Sequence, residues 1–383
     1  MTTQKSSTRC LDWQWKLALL TPLFAVRARA DDQVDYRYEY YNEDNNRMTI
    51  YTHSVYFEQK LVDAITAKGE LVYDGISGAT PTGTLSTSGK INLTHMQDNR
   101  RSISLQLDDK LGSNTLTPGF AYSKESDYQS YGLSLNDAID FNEKNTTLQY
   151  GVSQNLDSVR NTDHNTGNYI WSDKYSTEGI IGVSQLLSPK TILTADFTFG
   201  DDSGFLSDPY RLANYLPTGF PFSIGVPERR PSHRTKEIFY TSLTQYFDAV
   251  NASLEGSYRF YNDSYGVIAN TVGLTWHQWL GKYFIGEPFV RLYEQSSANF
   301  YNTTFTGPFT INPNGPPGMH SSDYRLSEFY STDTGLQITG IINDHVHLVA
   351  GYHRYEMHGL DGKTSSAMYP KANIYTIGIS FLW

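Results

Sequence analysis

Apolar and polar residues trade places at every second position along most of this chain. Val34, Tyr36, Tyr38 and Tyr40 fall on one parity, and Asp35, Arg37 and Glu39 fall on the other. Residues of one parity share one face of an extended strand. Ile103, Leu105 and Leu107 oppose Ser104, Gln106 and Asp108 in the same way, and Leu193, Ala195, Phe197 and Phe199 oppose Thr194, Asp196 and Thr198. Ala252, Leu254, Tyr258 and Phe260 oppose Ser253, Glu255, Ser257 and Arg259. The segment 175–188 is apolar on both parities and follows the rule less cleanly.

The links between these segments alternate in length. Tight turns are predicted near Val62-Asp63, 110–113, 142–144, 188–190, Ala249, Gly281 and 342–345. The opposite-end links fall at 42–46, 75–97, Asp127, 157–172, 201–234, 262–265, 301–321 and 359–369. Seven turns and eight opposite links join sixteen strands, an even number that brings both chain ends to the tight-turn side. Short turns at one end, longer loops at the other and one apolar face predict an all-β fold, a transmembrane antiparallel up-and-down barrel with periplasmic turns and extracellular loops. Sixteen spans of about 11 residues use roughly 176 residues, which leaves ample chain for links. A spanning sheet must close, because an unpaired backbone group in hydrocarbon costs several kcal/mol.

Composition agrees. The chain has 29 Tyr, 19 Phe and 6 Trp among 383 residues, and many Tyr lie toward strand ends, where an amphipathic ring suits a membrane interface. The closing parity Tyr375, Ile377, Ile379, Phe381 and Trp383 is apolar to the last residue and resembles the C-terminal insertion signal read by barrel-assembly machinery. At the other end, Lys5, Arg9 and Lys16, an apolar run 17–26 and Ala28-Arg29-Ala30 predict a signal peptide over residues 1–30, leaving 31–383 as the barrel domain. The peptide carries five basic residues, one acid and the single Cys10, so the exported part has no cysteine and is more acidic than the whole-chain charge of −10. Nucleic acid is excluded as a partner on that charge, while outer-membrane lipid and lipopolysaccharide are expected ones.

Several strings together, Asp74-Gly-Ile-Ser-Gly-Ala-Thr-Pro-Thr-Gly83, Tyr122-Ser-Lys-Glu-Ser-Asp-Tyr128, Ser203-Gly-Phe-Leu-Ser-Asp-Pro-Tyr-Arg211, Tyr258-Arg-Phe-Tyr-Asn-Asp263 and the stretch 292–301, resemble a family of uncharacterised Gram-negative outer-membrane proteins, a domain of unknown function. The resemblance implies an outer-membrane barrel and no particular activity. Relatives encoded beside a flavin-attaching enzyme and thioredoxin-like proteins imply a redox-linked setting.

The inward parities place Asp35, Arg37, Glu39, Lys68, Glu70, Glu255, Arg259 and Arg291 toward the lumen. Charges of both signs are tolerable there when water or counter-charges solvate them, and sixteen strands leave room for an aqueous interior. The first expectation is therefore a water-filled channel for small solutes. The second is a non-enzymatic scaffold for an exported redox or lipoprotein partner, and the third an outer-membrane hydrolase. The long connection 201–234 offers Arg211, Arg229, Arg230 and Arg234 as anion contacts, against the plainer reading that they pair with the loop's own Asp201, Asp202, Asp208 and Glu228. The segment Asn312-Pro-Asn-Gly-Pro-Pro-Gly318 reads as a rigid cap. His345, His347 and His353 share the inward parity of one strand; His345 and His347 could hold a metal at i, i+2, but His353 lies about 20 Å further on, no third ligand is in view, and no nucleophile or zinc motif occurs. No cofactor is expected.

Overall fold

A computed structural model describes residues 32–85, 90–163, 166–308 and 318–383. The expected signal peptide 1–30 and most of the 312–318 cap lie outside the described residues. In chain order the strands are β1 (Gln33–Glu43), β2 (Met48–Val62), β3 (Ile65–Leu85), β4 (Ile91–Leu111), β5 (Asn114–Lys124), β6 (Tyr128–Phe141), β7 (Thr146–Thr162), β8 (Tyr169–Ser188), β9 (Thr191–Gly204), β10 (Leu212–Pro217) and β11 (Ile224–Pro227). They continue with β12 (His233–Phe247), β13 (Ala252–Asp263), β14 (Ile268–Leu280), β15 (Phe284–Gln295), β16 (Phe305–Gly307), β17 (Phe329–Asn343), β18 (Val346–Gly359) and β19 (Lys371–Leu382).

Sixteen of these described strands, all but β10, β11 and β16, form one closed antiparallel barrel. Each pairs with its chain neighbours, and β1 closes on β19 from Gln33 opposite Leu382 to Glu43 opposite Ala372. Every tight turn predicted from the sequence joins a pair of barrel strands at the end where the chain termini lie. Backbone left-handed at Asn142, Glu143 and Lys144 (φ 51°, 57° and 68°), at Asn251 (φ 49°) and at Gly112 (φ 68°) makes these reversals.

Register converts the alternating pattern into two surfaces. Ile181 lies opposite Phe197, Phe197 opposite Phe239, and Phe239 opposite Phe260, a continuous apolar row on the outer wall. One position away, Gly182, Asp196, Tyr240 and Arg259 pair in the same order and face the lumen. Because the side-chain period is two, a slip of one residue would exchange these rows, so the apolar outer face and the polar inner face together fix the register. The ambiguous segment 175–188 resolves the same way, with Ile181 outward and Ile180 inward. Tyr352, Tyr375, Tyr40 and Tyr51 are successive cross-strand partners on β18, β19, β1 and β2 and form an aromatic row.

Two connections differ from the sequence expectation. The segment 75–97 is strand on both sides of its tip, since β3 and β4 are 21 residues each and rise beyond the wall as a hairpin. The segment 157–172 is also mostly strand, which leaves residues 163–168 as the link. Polar alternation continues through both stretches while the apolar parity fades, so the sequence marks the edge of the apolar outer belt rather than the end of pairing.

A lumen capped by two loops

The largest described apolar cluster does not run along the strands. It sits at the long-loop end, where Tyr261, Tyr265, Tyr293, Tyr324, Leu326, Phe329, Met357 and Tyr369 pack together. A smaller cluster of Ala213, Tyr215 and Val226, with Phe305 against it, belongs to a second sheet built from loop segments. There β10 pairs antiparallel with β11 and parallel with β16. The first two strands come from the link between β9 and β12, the third from the link between β15 and β17, so the two longest loops fold into one cap.

Ion pairs lock the loops to each other. Arg230 reaches Glu228 at 2.7 Å within its own loop and Asp323 of the other loop at 2.8 Å. Arg325 reaches Asp208 at 2.5 Å across the same junction, and Arg211 lies 3.6 Å from Asp208 and 3.8 Å from Asp323. Burial alone would raise Asp323, but the guanidiniums of Arg325, Arg211 and Arg230 surround it and hold it well below the usual carboxylate range. Glu228 is buried too and is pushed above its ordinary value, although Arg230 and the Ser321 hydroxyl oppose the shift.

The cap rests on the hairpin of β3 and β4. Arg211 Nη2 donates to Thr80 Oγ1 at 3.1 Å. Gly83 has φ +98°, and a Cβ there would stand 2.6 Å from the Leu212 carbonyl oxygen and 2.9 Å from that of Ser322. One loop contributes Leu212 and the other Ser322, so only glycine lets both backbones approach this point.

Beneath the cap the lumen wall grades from buried to exposed. On β4 the inward residues Met96, Asp98 and Arg100 are buried, whereas Gln106, nearer the short turns, is exposed. Near the cap, Arg100 pairs with Asp74, and Lys236 reaches Glu178 at 2.9 Å and Asp202 at 3.1 Å. Toward the short turns, Lys68 reaches Asp108 at 2.7 Å and His277 meets Glu287 at 2.8 Å, and midway along the wall His353 meets Asp333 at 2.6 Å. Opposite charges thus answer one another around the wall.

By register, the eight residues assigned to the lumen fall on the parity opposite the apolar outer rows. Asp35 pairs across to Tyr56, and Tyr56 to Glu70. Lys68 lies opposite Gln106 and Arg291 opposite Asp333. Arg37 is exposed, and Glu39 is half-buried opposite Thr52. Glu255 and Arg259 face the interior opposite Thr275 and Thr271. They are spread around the wall and do not converge on one catalytic point.

The loop arginines divide. Arg211 and Arg230 pair with Asp208, Glu228 and Asp323, and Arg234 pairs with Asp263 at 2.5 Å while stacking over Tyr265 at 4.7 Å. Arg211 and Arg230 thus tie the two loops together and Arg234 ties β12 to β13, while Arg229 alone of the four is exposed. Tyr375, Ile377, Ile379, Phe381 and Trp383 lie along the outward face of the closing strand and just past its end. His345 Nδ1 lies 2.8 Å from the Leu382 carbonyl oxygen, in a turn rather than on the strand wall. Among the described residues, the group whose spacing suits a metal is Asp98, Glu125 and Asp127, which the sequence did not suggest because it joins β4 to the next outer link.

A protein family of unknown function, DUF3570, matches residues 16–96 and 93–382. The chain belongs to this family. No curated protein matches it. Among solved structures it is similar to CdiB from Acinetobacter baumannii, with 8% identity, 93% of this chain and 61% of that one covered, and a TM-score of 0.51. It is also similar to a bacterial polysaccharide outer membrane secretin (10% identity, 93% and 100% covered, TM-score 0.48) and to the siderophore receptor PirA from Pseudomonas aeruginosa (10% identity, 92% and 62% covered, TM-score 0.45). The chain spans about three-fifths of the length of PirA and of CdiB. At such identities the shared feature is the barrel fold. The string ending at Gly83 and the string ending at Arg211 meet at the cap's seat.

Proposed function

We propose that this protein is an outer-membrane channel for small polar solutes, with its outer mouth closed by its two long loops. The observation that carries this reading is the gradient along the lumen. Arg37 and Gln106 are exposed on the inner wall near the short turns, while Asp74, Arg100, Asp202 and Lys236 are buried beneath the cap. A wall lined with charges of both signs needs water or counter-charges to remain stable, and the lower half offers both. The apolar outer belt and the aromatic row support a bilayer position, with the short turns on the periplasmic side. In this reading residues 1–30 direct export and the closing strand directs insertion.

The test is conductance in planar lipid bilayers. The intact protein is expected to pass little current, and a variant with residues 206–231 replaced by a short glycine-serine linker is expected to give discrete open-channel steps. A shortened variant that folds and stays silent overturns the channel reading.

A second reading rests on the same one-sidedness. A vestibule open toward the periplasm and closed outside also suits the seating of an exported soluble partner. Stoichiometric co-purification of a lipoprotein or flavoprotein, lost on changing Arg37 and Glu39, would favour that scaffold over the channel.

A further inference from the structure

Where β4 passes the link between β5 and β6, three carboxylates meet. Asp98, Glu125 and Asp127 each offer an oxygen within 4.8 Å of the other two. The link is held in place by the Ser126 hydroxyl, which donates to Asp98 Oδ2 at 2.7 Å, and by the Glu125 N–H, which donates to the Tyr128 carbonyl at 2.8 Å. Asp127 is only 3% exposed, and its Oδ2 is buried without a hydrogen-bond partner. Glu125 Oε2 is buried and unpartnered in the same way. Buried carboxylate oxygens lacking donors are costly unless something positive stands among them.

The nearby positive groups are partly engaged elsewhere. Arg100 is ion-paired with Asp74, and the Arg160 N–H donates to the Asp127 carbonyl at 2.8 Å. Both guanidiniums pull the cluster toward ionisation, while Asp74 and Asp208 push the other way. Burial dominates, reinforced by the neighbouring carboxylates, and pushes Glu125 to about 8 and Asp127 to about 7.

We propose that Asp98, Glu125 and Asp127 form a calcium site at the outer rim of the barrel. Three carboxylates are hard oxygen donors that a bound cation deprotonates, and a set without nitrogen or sulfur favours calcium or magnesium over zinc or copper. Oxygens bound to calcium at about 2.3–2.6 Å can stand up to about 5 Å apart, whereas magnesium at about 2.0–2.1 Å draws them closer. The ion ties the β3–β4 hairpin, through Asp98, to the neighbouring outer link, and so stiffens the support on which Thr80 and Gly83 seat the cap. Nothing in this assignment depends on whether the lumen conducts.

The experiment uses the full exported chain folded in detergent without lipopolysaccharide, stripped with chelator and titrated with calcium chloride. Calcium is expected to raise the unfolding temperature, and terbium is expected to give luminescence sensitised by the adjacent Tyr128 that calcium displaces. Asp127→Asn and Glu125→Gln are each expected to weaken calcium binding by about tenfold or more. Asp109→Asn, near the short turns, is expected to leave it unchanged. Absence of any calcium response in the intact protein overturns the proposal, as does an equal response in either folded variant. If one variant does not fold, the other and the intact protein decide the question.

Discussion

Arg211 donates a hydrogen bond to Thr80 across 131 positions of sequence, joining the long loop after β9 to the hairpin of β3 and β4. The same guanidinium lies against Asp208 and Asp323 and over the ring of Tyr324. One side chain therefore touches both loops and their seat. Arg211→Ala removes a counter-charge from carboxylates that water does not reach, which costs about 3–5 kcal/mol for a buried pair. The expected outcome is a barrel that keeps its strands but loses its cap. Chymotrypsin should cut near Phe205 and Tyr210 far faster than in the parent, while the heat-modifiable migration of the folded barrel persists. Equal cleavage rates would deny Arg211 this role.

Gly83 tests the same seat from the other side. Substitution by alanine pays for a left-handed backbone and forces a Cβ against two carbonyl oxygens. Gly83→Ala should loosen the cap as Arg211→Ala does, whereas Gly112→Ala, in an open turn with nothing near its Cβ, should not affect it. Protection from protease, measured for both, checks this contrast.

Acid should open the cap. Asp323 is held below the ordinary carboxylate range by Arg325, Arg211 and Arg230, so its contribution is present above an unfolded value of about 3.9 and is lost as pH falls through the folded one. Glu228, raised by burial, acts in the opposite sense, and its share fades as pH climbs. With Asp208 also facing the cluster, protection of the loops should be greatest in mildly acidic solution and should fall steeply below about pH 4. Hydrogen exchange of the 205–232 backbone against pH measures this, and Asp323→Asn should flatten the acid limb.

Neighbouring residues of β8 separate the two surfaces. Ile181 is exposed on the apolar outer wall, and Ile180 lies on the opposite face. Ile181→Lys should cost about 2–4 kcal/mol if it lies near the bilayer midplane, and Ile180→Lys should cost much less. Urea unfolding in lipid vesicles compares them, and equal losses would place the apolar wall wrongly.

The barrel was legible because one physical demand repeats through it. Most barrel strands carry the same alternation, which sets Asp35, Arg37 and Glu39 on the parity opposite Tyr36, Tyr38 and Tyr40. The cap was not legible, because its contacts join distant segments. Asp208 and Arg325 read as ordinary loop charges until folding brings them to 2.5 Å, and the parallel pairing of Tyr215 with Phe305 leaves no local pattern. The arginine-rich loop was recognised as unusual, but its partners lie mostly on a second loop or another strand. Glu125 and Asp127 sit in a short link whose two residues need Asp98 from β4 to mean anything.

Single-cysteine accessibility tests the central claim most directly, since the only native cysteine, Cys10, lies in the expected signal peptide. Leu133→Cys, Gln106→Cys and Met96→Cys probe the outer wall, the lower lumen and the space under the cap. In vesicles with a water-soluble maleimide on both faces, only Gln106→Cys should label rapidly, and Arg211→Ala added to Met96→Cys should speed its labelling. Rapid labelling of Leu133→Cys with protection of Gln106→Cys would contradict a barrel with a lipid-facing wall and a wet lower lumen.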